Sequence, residues 1–110
     1  MRDDEFASWL SETHRTRVGT RLGRRPQSDA LSRCRRVESH EGNLDAHFAR
    51  DRMKHLLDRL TYSRTDERNG ISARHSISID GDVVNGTASL RNAADLYRRF
   101  CEDRPPNQIA

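Results

Sequence analysis

Ala88-Ser89-Leu90-Arg91-Asn92-Ala93-Ala94-Asp95-Leu96-Tyr97-Arg98-Arg99-Phe100-Cys101-Glu102-Asp103 is the stretch that decides the fold class. Leu90, Ala93, Ala94, Tyr97, Phe100 and Cys101 recur at the spacing of a single helix face, which predicts an amphipathic helix with an apolar stripe to bury. Thr87 or Ser89 is the expected cap, and Arg104-Pro105-Pro106 ends the helix. A stripe of that length needs partner helices.

Three other segments supply them. Near the start, Phe6, Trp9 and Leu10 fall at i, i+3, i+4 behind the acids Asp3, Asp4 and Glu5, predicting a short helix from Asp3 to about His14. Ser28 is placed to cap a helix over roughly Asp29 to Ser39, with Leu31, Cys34 and Val37 as its stripe and Ala30 beside it. Met53, Leu56, Leu57 and Leu60 predict a further helix from about Ala49 to Thr61, preceded by a short turn that plugs Leu44 and Phe48 into the core. The spacing of Phe6, Trp9 and Leu10 puts both aromatics in the core rather than on a base-stacking surface.

The helical period fades between Ser63 and Gly86, where Asn69-Gly70, Asp80-Gly81 and Asn85-Gly86 read as turns. His75-Ser76-Ile77-Ser78-Ile79 alternates polar and apolar residues, so a short β-hairpin across 75–84 is one option and an extended loop the other. The expected architecture is therefore mainly all-α: one domain over 1–104 built from four to five helices, then a short tail over 105–110.

Only 33% of the residues are apolar and 34% are charged, so the core is expected to be thin. No apolar run approaches the roughly 18 to 20 residues that cross a bilayer, and the first residues are acidic rather than a basic and apolar leader. A cytoplasmic location is expected, without a membrane partner. Cys34 and Cys101 both sit inside helical apolar patterns, which predicts buried reduced thiols.

Charge is distributed unevenly. Residues 13–36 carry eight arginines against the single acid Asp29, whereas residues 37–110 carry eleven bases against twelve acids. The arginines are Arg15, Arg17, Arg21, Arg24, Arg25, Arg33, Arg35 and Arg36. The first five lie in a segment broken by Gly19, Gly23 and Pro26, predicting an adaptable basic loop. The last three are expected on the open face of the second helix, so the junction at Pro26 to Ser28 should mark the edge of any contact. Phosphates are the natural partners of such a segment, because the guanidinium fork matches their oxygens and each contact releases a counterion. Arg91, Arg98 and Arg99 form an expected secondary basic patch. A GC-rich genome is an equal source of arginine richness in a chain whose only lysine is Lys54.

Other constellations carry less. His14, His40, His47, His55 and His75 show no i, i+3 or i+4 pairing, and neither cysteine belongs to a C-x-x-C motif, so no metal site and no cofactor are expected. Asp80 and Asp82 flank Gly81 as a turn would, and no supporting base follows them as in a nuclease. Asn85-Gly86-Thr87 has the form of a glycosylation sequon, which is idle in a cytosolic chain. No nucleophile with its base, supported carboxylate pair or phosphate-cradling glycine loop can be assembled, so an enzyme is not expected.

The order of segments resembles the N-terminal helical core-binding (SAM-like) domain of tyrosine recombinases and phage integrases, and similar helical modules that precede nuclease domains in restriction-like proteins. Phe6-Ala7-Ser8-Trp9-Leu10, then Leu31-Ser32-Arg33-Cys34-Arg35-Arg36-Val37 after a basic turn, then the closing Ser89–Phe100 helix carry the resemblance. It implies a small bundle that clamps DNA, with basic residues of the second and last helices near the backbone. It implies no catalysis here: these 110 residues have no room for the recombinase catalytic domain, so Tyr62 and Tyr97 are not expected to be nucleophiles. The resulting expectation is a non-catalytic nucleic-acid-binding domain, DNA before RNA, belonging to a mobile element. The alternative is a small phage- or mobile-element-type protein-interaction module, an inhibitor or an adaptor that forms homo-oligomers.

Overall fold

Six helices make up the regular structure of residues 1–105, the part of the chain described by the computed structural model. They are α1 (Asp3–Glu12), α2 (Arg24–Glu41), α3 (Leu44–Asp51), α4 (Lys54–Arg59), α5 (Arg64–Arg68) and α6 (Val83–Asp103). No strand occurs among the described residues, in line with an all-α class. Of the tail expected over 105–110, all but Pro105 lies outside the described residues.

α2 and α6 are the long helices, and they pack against each other through small side chains. Ala30 and Cys34 of α2 meet Ala93 and Ala94 of α6, all buried, and the Cys34 thiol donates to the Ala93 carbonyl at 3.2 Å. α1 closes one end of this pair with an aromatic cluster. Phe6 meets Tyr97 edge-on at 5.0 Å and Phe100 at 5.5 Å, while Trp9 lies 5.9 Å from Phe100. Such pairs add roughly 0.5–1.5 kcal/mol each beyond the area they bury. The same corner holds a polar network. The Tyr97 hydroxyl donates to Asp45 at 2.7 Å and accepts the Arg2 amide at 2.9 Å, and the Arg2 guanidinium lies 4.5 Å over the Phe100 ring. The thin core is thus bordered at this corner by a polar network, in which Arg2 Nε, 3.6 Å from Asp45, makes no hydrogen bond.

Three boundaries differ from the sequence expectation, each for a local reason. α2 starts at Arg24, about a turn ahead of the expected Ser28 cap, with Gly23 in the N-cap position. Pro26 does not break it, because the first turn of a helix has no acceptor for the N–H that proline lacks. The expected single helix from Ala49 to Thr61 is split into α3 and α4. Arg52 and Met53 both adopt left-handed backbone, at φ 56° and 67°, which turns the chain sharply and carries the Met53 side chain to zero exposure. The Asp51 carboxylate then accepts the His55 amide in the first turn of α4 at 3.0 Å.

The third difference is at 75–84, where the hairpin option fails. α6 instead starts at Val83, capped by Asp82 whose carboxylate accepts the Asn85 amide at 3.2 Å, and Asn85-Gly86 lies in its first turn and a half. The segment before it is an irregular strap over α2, α4 and α6. Arg74 donates to the Asp58 carbonyl, His75 Nε2 bonds Thr87 Oγ1 at 2.8 Å, Arg36 donates to the Ser78 carbonyl, and Ile77 is buried in the core. A lone two-stranded ribbon buries little. Feeding Ile77 into the core and the strap's polar groups to three helices buries more.

Candidate nucleic-acid interface

The basic segment begins where α1 ends. Trp9, buried in the core, donates its indole N–H to Asp103 at 2.9 Å and stacks on His14 with ring centroids 5.1 Å apart. Burial holds the His14 imidazole below its ordinary pKa of 6.5, and the neighbouring cations Arg99 and Arg15 push in the same direction.

The chain from Thr16 to Thr20 is more ordered than a flexible basic loop. Gly19 N–H donates to the Thr16 carbonyl at 2.8 Å, Thr16 N–H donates to the Thr20 carbonyl at 2.7 Å, and the two threonine hydroxyls bond at 2.8 Å. Gly19 at φ 85° supplies the left-handed residue that such a three-residue turn requires. Arg17 and Val18 occupy the tip, and Val18 is 82% exposed. Gln27 of α2 then donates to the Leu22 carbonyl at 2.7 Å, tying the end of the segment to the helix it enters.

The structure separates the arginines into three groups. Arg15, Arg17 and Arg21 are exposed on the turn and its flanks. Arg24 and Arg25, expected in that loop, belong to the first turn of α2, so the expected edge at Pro26 to Ser28 lies inside a helix. Arg33, Arg35 and Arg36 do not share one face. At 3.6 residues per turn Arg33 and Arg35 point about 160° apart. Arg35 reaches Asp3 of α1 at 2.7 Å, whereas Arg33 and Arg36 face α6 and the strap. On that side a shallow groove of about 300 Å³ runs between α2 and α6, floored by Leu22, Pro26, Ala30, Ala93 and Leu96. Its rim carries Arg33 and Asp29 opposite Ser89 and Asn92.

Pairing distinguishes these arginines further. Arg17, Arg21, Arg24 and Arg33 donate to no protein acceptor among the described residues, and Arg15 bonds only backbone carbonyls of Glu12 and His14. Arg25 stands 3.8 Å from Asp29 but is 90% exposed. Elsewhere arginines are matched by carboxylates: Arg59 by Glu41 at 2.6 Å, Arg64 by Asp82 and Glu67, and Arg2 by Glu5 and Asp45. Two of the three arginines of the expected secondary patch fall in this second class. Arg98 sits between Asp95 at 2.8 Å and Glu102 at 3.0 Å, Arg99 is 3.3 Å from Asp95, and Arg91 donates to Thr61 Oγ1. Arg50 and Arg68, which the sequence reading did not single out, are exposed without an ion pair among the described residues.

Several other titratable groups have structural partners. Asp82 caps α6 and pairs with Arg64, His75 bonds Thr87, His47 is buried against the Glu41 carbonyl, and His40 bonds the Arg36 carbonyl. Among the described residues no three His, Cys, Asp or Glu side chains gather as metal ligands. Burial pushes the Cys34 thiol up to about 12 and the Cys101 thiol up to about 11, so neither is poised as a nucleophile. No helix among the described residues is long and apolar enough to cross a membrane. Comparison with protein-family models, curated proteins and solved structures finds no match to this chain.

Proposed function

We propose that this chain is a non-catalytic nucleic-acid-binding domain, cytoplasmic and acting on DNA in preference to RNA, of the helical core-binding kind that its segment order resembles. One observation carries the reading. Most arginines elsewhere in the fold are held by carboxylates or carbonyls, while Arg17, Arg21, Arg24 and Arg33 have no acceptor among the described residues and stand beside Arg15, which bonds only local carbonyls, and Arg25, 90% exposed although 3.8 Å from Asp29. Unpaired guanidinium groups of one sign on adjoining elements make a favourable surface for phosphates, with the ordered turn and the helix fixing their spacing. Arg35 and Arg36 serve the contact less, since Asp3 and the Ser78 carbonyl already engage them.

The test is binding of short duplex DNA, followed by fluorescence anisotropy at about 50 mM and about 200 mM salt. Affinity falls steeply with salt, and replacing Arg24 and Arg25 together by alanine weakens it. Absent or salt-insensitive binding sinks the reading, as does an unchanged affinity in the double variant.

The groove between α2 and α6 favours a second reading, a protein-interaction module, because its apolar floor suits a side chain better than a phosphate. Size-exclusion mass before and after nuclease treatment separates the two. Loss of mass on treatment indicates co-purified nucleic acid, whereas a nuclease-resistant oligomer indicates the module.

A further inference from the structure

From the Thr16–Thr20 turn we infer that the basic segment docks in the minor groove of B-form DNA, with Arg17 on the groove floor and Val18 against the sugar walls. The inference rests on the nucleic-acid reading and names the form and the groove that the same surface selects.

Shape is the first argument. The turn is closed by two backbone hydrogen bonds of 2.7 and 2.8 Å and by the Thr16–Thr20 hydroxyl pair, so its tip is preformed. A Cβ built on Gly19 meets nothing within 4 Å, so the tip stands clear of the body. The Thr16–Thr20 closure holds the Arg17 and Val18 side chains together at the tip. Extended side chains of that kind can enter a minor groove about 6 Å wide, whereas the wide, shallow minor groove of A-form RNA would leave them without walls. The helices beside it are about 10 Å across and do not fit the minor groove.

Charge and apolarity agree with that placement. Between Glu12 and Asp29 the chain has five arginines and no acid, and Arg15 and Arg21 stand outside the Thr16 and Thr20 closure, where the phosphate walls would pass. A narrow minor groove concentrates negative potential and attracts arginine. Val18 is, with Ile71, one of two large apolar side chains exposed on the described surface, and it lies beside Arg17 at the point that would enter deepest. The surface also lacks what single strands require. Phe6, Trp9, Tyr97 and Phe100 are buried, no other Phe, Tyr or Trp lies on the basic segment, and the His14 ring at its root is already stacked on Trp9, which leaves no platform for unstacked bases among the described residues.

Inosine–cytosine pairs decide the matter, because they present the minor groove of A·T and the major groove of G·C. The full chain is titrated against short A·T, G·C and I·C duplexes, and against a single strand and an RNA duplex, at one salt concentration. I·C is expected to bind like A·T, with G·C, RNA and the single strand weaker. Val18→Ser lowers affinity for A·T and I·C by roughly three- to tenfold, the scale of losing buried methyl groups. Arg17→Ala abolishes the preference and reduces the salt slope by about one. Both side chains are exposed, and circular dichroism checks that the variants fold. If I·C behaves as G·C, if all ligands bind alike, or if the single strand or RNA binds best, the minor-groove inference is overturned while salt-dependent binding still supports the broader reading. Absence of binding to every ligand overturns both.

Discussion

Gly86 packs directly against Ile79: a Cβ on the glycine would overlap Cγ2 of the isoleucine and sit 3.2 Å from its Cδ1. The strap therefore lies on α6 at a point where the helix has no side chain. Gly86→Ala is expected to destabilise the fold by about 1–3 kcal/mol, the range for overpacking, despite alanine's better helix propensity. Urea unfolding measures this. In an Ile79→Ala background, which lacks Cγ2, the same glycine change should cost less, and a Gly86→Ala variant as stable as the parent would show that the strap can lift away freely.

The arginines should divide functionally as they divide in pairing. Replacing Arg21 or Arg24 by alanine is expected to leave stability within about 0.5 kcal/mol and to reduce the salt slope of DNA binding by about one each. Arg98→Ala has the opposite signature, leaving DNA affinity nearly unchanged while Asp95 and Glu102 lose their cation. Equal effects of all three on affinity would contradict the assignment.

Arg52 sits at φ 56° as the residue that ends α3, a place where glycine is the usual solution. Arg52→Gly is expected to stabilise the protein by on the order of 1 kcal/mol by relieving left-handed strain, net of the chain entropy glycine adds. The same change at Met53 should destabilise, because Met53 has zero exposure and its removal leaves a cavity. Thermal unfolding of the two variants provides the comparison.

Acid should weaken the fold from just below pH 6.5. Burial lowers the pKa of His75, with Arg59 and Arg36 acting in the same direction against Glu41, and burial with Arg99 and Arg15 lowers that of His14. Both rings are therefore favoured in the neutral form by folding, and below their ordinary pKa of 6.5 the unfolded chain binds more protons. Their stabilisation is complete above that value and is lost as pH falls through the depressed folded values. Glu41 and Asp82, held low by Arg59 and Arg64, continue the loss through the carboxylate range. Urea midpoints at about pH 7.5 and about pH 5.5 check the sign, and a higher midpoint at the acid end would refute it.

Both thiols should resist alkylation in the native state. Cys34 and Cys101 have zero exposure, and burial raises both thiols, so little thiolate exists at neutral pH. A maleimide reagent is expected to label neither until denaturant is added, then both. Rapid native labelling of Cys34 would mean that α2 and α6 part readily.

Periodicity made α1, α6 and the buried side of α2 legible, because Phe6, Leu10, Cys34, Val37, Tyr97 and Phe100 are placed by helical spacing alone. Where the sequence misled, tertiary contacts outweighed local signals. Asn85-Gly86 has turn chemistry, yet it is helical because Ile79 needs the space. Arg52-Met53 has helical chemistry, yet both residues take left-handed backbone and end α3, and no glycine or proline marks the break in the sequence. The basic segment was legible as charge, while its division was not: whether Arg35 meets Asp3 or a ligand depends on where α1 packs. The turn at Thr16–Thr20 did leave a signal, since a glycine between short polar residues marks a three-residue loop, but two glycines and a proline in one stretch suggested looseness instead.

Trp9 stacks on His14, and it is the only tryptophan in the chain. A protonated imidazole against an indole quenches its emission; burial is the main cause that keeps His14 neutral and Arg99 and Arg15 add to it, so anions that screen these cations ease its protonation in part. The fold thus contains its own optical gauge at the root of the basic segment: unlabelled protein should dim when a polyanion settles there, and brighten again when salt drives it off.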